Sequence, residues 1–141
     1  MSNVVISSLS NMTSNSLRMM ERSMEFLWAK QAAHLDNVAN AETPGYKVKT
    51  VTFEERFLRK LRQARAEAVR LQTSPRAEYR KAIERTGWSV MEDDEITRMD
   101  ENGVNVTEQS IEAIRTAYQM QYTLQAISSD LSTLRAAISG G

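Results

Sequence analysis

Apolar residues recur along this chain in two long three-four alternations. Leu17, Met20, Met24, Leu27, Gln31, His34 and Val38 make the first, a heptad seam that Trp28 and Leu35 widen. The second is longer and has no break: Ala113, Ala117, Met120, Leu124, Ile127, Leu131, Leu134 and Ile138, flanked by a stripe of Ile111, Ile114, Tyr118 and Tyr122. The two patterns predict amphipathic helices over residues 16–40 and 106–139. Asn105 with Glu108 three residues on, or Thr107, offers the N-cap of the second helix, and "SGG" ends it. At 1.5 Å per residue the second helix outreaches the first by about 15 Å. Any apolar stripe the first helix leaves uncovered needs the middle of the chain or another molecule to bury it. An ordinary helical hairpin and a self-assembling one are both open on periodicity alone.

Residues 1–15 are rich in Ser and Asn, whose side chains compete for backbone hydrogen bonds. A flexible N-terminus is the expectation there. Between the helices, Glu54–Thr73 has high helix propensity with a thin apolar stripe of Phe57, Leu58, Leu61, Ala64, Ala68 and Leu71. The remainder of the variable central segment, 54–105, has no clear period. The fold class is therefore mainly α: long terminal helices packed as a coiled-coil hairpin, an extended arm over 41–53 and a partly irregular centre, in one 141-residue domain.

The scarcity of breakers, 5 Gly and 2 Pro, agrees with few, long helices. Charges cancel, 18 basic against 18 acidic, which argues against a dedicated nucleic-acid or membrane binder. Charge is nevertheless polarised within the centre. Residues 55–85 carry ten Lys or Arg against four Glu, and 92–101 carry six acids against one Arg, patterns that solvated faces commonly show. The basic segment, with Tyr79 and Trp88, supplies the alternative reading of a helical nucleic-acid-binding module. With no cysteine there is no disulfide framework and no thiolate metal site. The leading "MSNVVISSLSNMTSNS" has neither a basic start nor an apolar run, so no cleaved secretory signal is expected, and no stretch is long and apolar enough to span a membrane.

Candidate chemistry is sparse. The single histidine, His34, falls in the first seam, where a packed polar role outranks metal binding or general base work. Adjacent acids at Glu92, Asp93, Asp94 and Glu95 do not converge on one point. An EF-hand alignment on Gly103 fails at both ends, with Arg98 and Gln109 where carboxylates are required. No enzyme, cofactor or metal is expected.

The punctuation is concentrated in "HLDNVANAETPGYKVKT". Pro44 sets φ for the second position of a turn and Gly45 accepts positive φ at the third, so Thr43-Pro44-Gly45-Tyr46 reads as a type II turn. Thr43, before proline, is pushed to extended geometry, so the helix must end before it. Asn37 or Asn40 can take the left-handed position at that stop, or bond its amide to freed carbonyls. "YKVKTVTF" continues as extended chain.

Asn37-Val38-Ala39-Asn40-Ala41-Glu42-Thr43-Pro44-Gly45-Tyr46-Lys47 resembles the N-x-A-N-x-x-T-P-G-Y-[KR] signature of the flagellar rod and hook proteins, the axial family of the bacterial flagellum. It departs at Glu42 and Val48, outside the turn. The C-terminal heptad helix is similar to the second hallmark of that family, with Tyr118-Gln119 and the closing Leu134-Arg135-Ala136-Ala137-Ile138 as in its short proximal-rod members. Residues 58–100 share almost nothing with it. The resemblance implies a non-catalytic subunit of the periplasm-spanning basal-body rod, exported through the flagellar type III apparatus without a cleaved signal, self-assembling and transmitting torque for motility. Its implied partners are itself, other rod proteins, the membrane-embedded motor ring and that ring's rod adaptor; no nucleic acid and no small-molecule substrate are implied. Asn37, Asn40, Thr43, Pro44, Gly45 and Tyr46 would set the angle at which the arm leaves the helix to touch the next subunit. Leu17, Met20, Met24 and Leu27 would pair with Met120, Leu124, Ile127, Leu131, Leu134 and Ile138.

Overall fold

The computed structural model describes residues 2–93 and 104–140, with side chains over 15–92 and 104–140. The turn "ENG", the acids Asp94 and Glu95, and the first half of the rejected calcium loop lie outside the described residues. Helices α1 (Ser2–Ala39) and α4 (Val106–Ser139) run antiparallel, and between them come β1 (Val48–Thr52), α2 (Glu54–Leu71), α3 (Pro75–Arg85) and β2 (Ser89–Asp93). The chain is mainly helical, with long terminal helices forming a hairpin.

α1 begins at Ser2, fourteen residues before the helix start expected from sequence, and the flexible N-terminus is replaced by regular helix. Ser and Asn cost only about half a kcal/mol each in a helix, a local preference too weak to stop one. Ser16 Oγ bonds Asp130 at 3.4 Å, Lys30 Nζ lies 3.8 Å from Glu112, and His34 meets Gln109. In that register the early turns of α1 continue beside the late turns of α4. At 38 and 34 residues the helices measure roughly 57 and 51 Å, so the expected length mismatch disappears.

The core is small and built where α1 meets the arm. Phe26, Leu27 and Ala33 of α1 bury against Val51, Phe53, Phe57 and Ile83, with Met24, Leu61 and Met120 partly buried around them. Phe26, Phe53 and Phe57 stack in series with centroids 5.0 and 5.1 Å apart. Of the thin α2 stripe, Phe57, Ala64 and Ala68 are buried, while Leu58 and Leu71 remain half exposed.

The centre is more regular than its sequence suggested. β1 and β2 pair antiparallel, Val51 opposite Val90 and Lys49 opposite Glu92, across the α2–α3 excursion. The extended arm therefore lies against its own chain. Thr52 Oγ1 and Ser89 Oγ, 3.1 Å apart, and Arg56, which donates to Ser89 Oγ at 2.6 Å, close its end. α3 starts with Ser74 at the N-cap and Pro75 in the first turn, and Asn15 of α1 donates to the Arg76 carbonyl and accepts from Arg80. α4 opens on Asn105, whose side chain accepts from the Glu108 amide, and closes on Gly140 at φ +81°.

α2 ends on Gln72 at φ +51°, a left-handed residue that is not glycine. We expect Gln72→Gly to stabilise the fold by about 0.5–1 kcal/mol, read as a higher urea midpoint with unchanged slope.

Candidate functional site

The residues of the "NVANAETPGY" segment converge on one fixed structure, and Asn37 is its centre. Asn37 is still helical and completely buried. Its Nδ2 donates to the Lys49 carbonyl (2.8 Å) and to Gln109 Oε1 (3.0 Å); its Oδ1 accepts from the Lys49 amide (2.9 Å) and the Tyr46 hydroxyl (3.1 Å). All four hydrogen-bonding positions of the carboxamide are used. It bonds the backbone of β1 as a neighbouring strand residue would, and so attaches the strand to a helix.

The turn itself has the expected geometry. Gly45 sits at φ +72° and the Tyr46 amide donates to the Thr43 carbonyl at 3.2 Å. Space is open where a Cβ would stand at Gly45, so the demand for glycine there is one of backbone conformation alone. Helix α1 stops at Ala39, and a preceding turn, with the Thr43 amide on the Asn40 carbonyl at 2.9 Å, links it to the Pro-Gly turn. Neither asparagine is left-handed: Gln72 is the one non-glycine residue at positive φ among the described residues. Asn40 instead donates to the Asp36 carbonyl (2.9 Å) and to Asp36 Oδ1 (3.0 Å), serving the freed-carbonyl alternative.

Asp36 completes the anchor. Its Oδ2 takes the Lys49 ammonium at 2.5 Å and a long bond from Tyr46 at 3.4 Å. Lys49 Nζ also stands 5.9 Å from the Tyr46 ring centroid. The Lys49 hydrogen bond holds the Asp36 carboxyl below its ordinary 3.8, and the same bond raises Lys49 above 10.5. Burial, then the Asp36 charge, raises the Tyr46 hydroxyl above 10.0.

The helix seam differs from the predicted one. Leu27 is buried and Leu17, Met20 and Met24 are half-buried, as a seam requires. On α4 the covered line runs through Gln109, Ala113, Thr116, Met120, Thr123, Ile127, Asp130 and Leu134, with Ser110, Glu112 and Gln119 half-buried beside it. Ala117, Leu124, Leu131 and Ile138 are exposed; Ile138 is 85% accessible. The covered line shares only Ala113, Met120, Ile127 and Leu134 with the predicted seam, and Gln109 sets the difference. Its Oε1 accepts from Asn37 and, at 2.7 Å, from His34 Nδ1–H, which fixes the rotation of α4 about its own axis. The resulting seam is polar, with Gln31 Oε1, His34 Nε2, Thr116 Oγ1 and Gln119 Oε1 buried without a partner in the chain.

Thus Asp36, Lys49, Gln109 and His34 belong to the anchor and were missed or given no such role by sequence reasoning. Asp36 and Lys49 flank the signature closely enough to have been suspected; Gln109 lies more than seventy residues away and gave no signal. Among the described residues no group of three His, Cys, Asp or Glu converges as a metal site, and no helix is long and apolar enough to cross a membrane.

Asn37→Ala leaves the strand amide, its carbonyl and the Tyr46 hydroxyl without partners, and should cost about 2–4 kcal/mol by chemical denaturation; Asn40→Ala should cost about 1. The anchor also carries a pH signature. A lowered Asp36 stabilises the fold above the ordinary carboxyl range, and this is lost as pH falls below 3.8 through the folded-state value. The raised Lys49 and Tyr46 stabilise below their ordinary values, and this is lost as pH rises beyond 10. The protection of the Lys49 amide, its exchange rate divided by the intrinsic rate at the same pH, should be greatest between these limits, and Asp36→Asn should flatten the acid limb. Compared with protein-family models and with curated proteins, the chain matches none of them.

Proposed function

We propose that this chain is a structural subunit of the bacterial flagellar proximal rod that assembles through its terminal helices and transmits torque from the motor ring outward. The observation that carries the reading is the surface of α4. From Ala117 to Ser139 that helix has two charges, Asp130 and Arg135, while Tyr118, Tyr122, Leu124, Leu131 and Ile138 are exposed on several sides. A helix that is charge-poor all round belongs inside a larger body, because water rewards an amphipathic one.

The turn supports the same reading. Rod packing needs a fixed exit from the first helix, and buried Asn37 with half-buried Tyr46 and the exposed turn at Thr43 and Gly45 holds one with satisfied hydrogen bonds. In this proposal other rod proteins, the membrane-embedded ring with its rod adaptor, and the type III export apparatus are the partners. The nucleic-acid alternative gains no comparable observation. Its basic segment forms α2 and α3, where Arg70 pairs with Glu67, Lys81 with Glu78, and Glu84 with Arg18 of α1.

The test is mass spectrometry of basal bodies purified from the source organism. The chain should appear in a few copies with the membrane-embedded ring; its absence from intact basal bodies sinks the proposal. In the same preparations Gly45→Val should be depleted and Glu42→Asp retained, since only the first places a β-branched residue at positive φ.

A further inference from the structure

The two-stranded sheet has one closed edge and one open edge. In an antiparallel pair the amide and carbonyl of a residue point the same way, toward the neighbouring strand or away from it, and successive residues alternate. Lys49 donates its amide to Asn37 and accepts from it at its carbonyl, so both groups point away from β2. Glu92, opposite Lys49, and Val90, opposite Val51, therefore turn their amides and carbonyls away from β1, while Ser89 and Met91 face it. No group among the described residues bonds the outward backbone of Val90 or Glu92. Among those residues β1 is the one element against which β2 packs at length, and Val90 and Met91 are 47% and 57% exposed. Asn37 closes the edge of β1; water alone meets the edge of β2.

We propose that the open edge of β2 is a docking site for an extended segment of a second protein, which adds a third strand by bonding the backbone of Val90 and Glu92. Free backbone groups in a row are a template for another strand, and sheet proteins ordinarily guard such an edge with proline, lysine or a bulge. β2 contains no proline and no lysine, and its register with β1 runs unbroken from Ser89 to Asp93. Its shortness limits the affinity of an added strand and not its access. The site lies apart from the α4 surface that carries the rod assignment, and it stands whether or not that assignment does.

Charge and side-chain pattern select the occupant. Residues opposite each other across a ladder share a face, so the incoming residue beside Val90 meets a half-exposed valine and the one beside Glu92 meets an exposed carboxylate. An apolar residue with Lys or Arg two places away fits both. β1 presents that same pattern to the other side of β2, with Val51 opposite Val90 and Lys49 opposite Glu92. The Lys49 ammonium is held by Asp36, which leaves Glu92 without an ion pair among the described residues. A second copy of this chain does not supply the pattern. Its β1 is enclosed between Asn37 and β2, and its β2 offers Glu92 no base in any register, since residues 88–93 contain none.

Amide exchange in the isotopically labelled full chain tests the site residue by residue. Without ligand, Met91 should be protected while Val90 and Glu92 exchange close to their intrinsic rates; protection of both outward amides in the free chain means the edge is already covered and overturns the proposal. The probe is the end-blocked heptapeptide KVKTVTF, the sequence of residues 47–53, which carries Lys and Val at the required spacing. At saturation it should slow exchange at Val90 and Glu92 at least about tenfold and leave Met91 unchanged. The same peptide N-methylated at the Thr50 and Val51 positions, one on each edge of the strand, keeps every side chain and should bind at least about tenfold more weakly. Val90→Pro deletes an amide that β1 does not use, so it should keep the protection of Met91 and weaken the probe by about the same factor. Equal binding of the methylated peptide, unchanged binding to folded Val90→Pro, or no protection at millimolar probe each overturns the proposal. Presence or absence of the chain in basal bodies bears on the rod assignment alone.

Discussion

The fold depends on one buried carboxamide. Asn37 bonds both backbone groups of Lys49, the Tyr46 hydroxyl and Gln109 Oε1, and so ties the nearby turn and β1 and the distant start of α4 to the last turns of α1. A buried amide with every position satisfied is geometrically demanding, because displacing any partner leaves a polar group unpaired in a dry setting. This sets the position of β1 beside α1. From there Val51 and Phe53 enter the core, and Phe26, Phe53 and Phe57 stack in series, which brings α2 into place.

The same amide decides the rotation of α4. With Gln109 held by Asn37 and His34, the line through Ala113, Thr116, Met120 and Thr123 turns inward, and the line through Ala117, Leu124 and Leu131 is left in water. The cost is visible in the seam, where four polar atoms are buried without partners. On α4 the apolar line of Ala113, Ala117, Met120 and Leu124 is displaced from the seam, while Gln31 and His34 make the α1 side polar in either rotation. The hairpin is thereby held by its anchored end and its small core, and large apolar side chains of α4 stay exposed.

Solvent exposure of so much Tyr, Leu and Ile on α4, with charges only at Asp130 and Arg135 over its second half, is a poor arrangement for a free monomer and a suitable one for a subunit. A rigid anchor at one end and an unsatisfied apolar surface along the other helix are complementary properties. The first fixes the angle between elements; the second leaves apolar area in contact with water.

The sequence by itself determined the helical class, both long helices, the Pro-Gly turn, the Asn105 cap and the Gly140 stop, because each rests on local periodicity or on φ preferences that neighbours do not override. Only the tertiary structure decided the rest. It extended α1 to Ser2 against weak local preference, paired the arm with residues 89–93, and made helix α3 from a segment without a clear period. It also turned α4 away from the predicted seam, so that only every second residue of that seam is covered. These outcomes rest on contacts between residues far apart in the chain, Asn37 with Gln109 and Phe26 with Phe53 among them, and a pattern read along one strand of sequence holds no information on which distant side chain will complete a buried hydrogen bond.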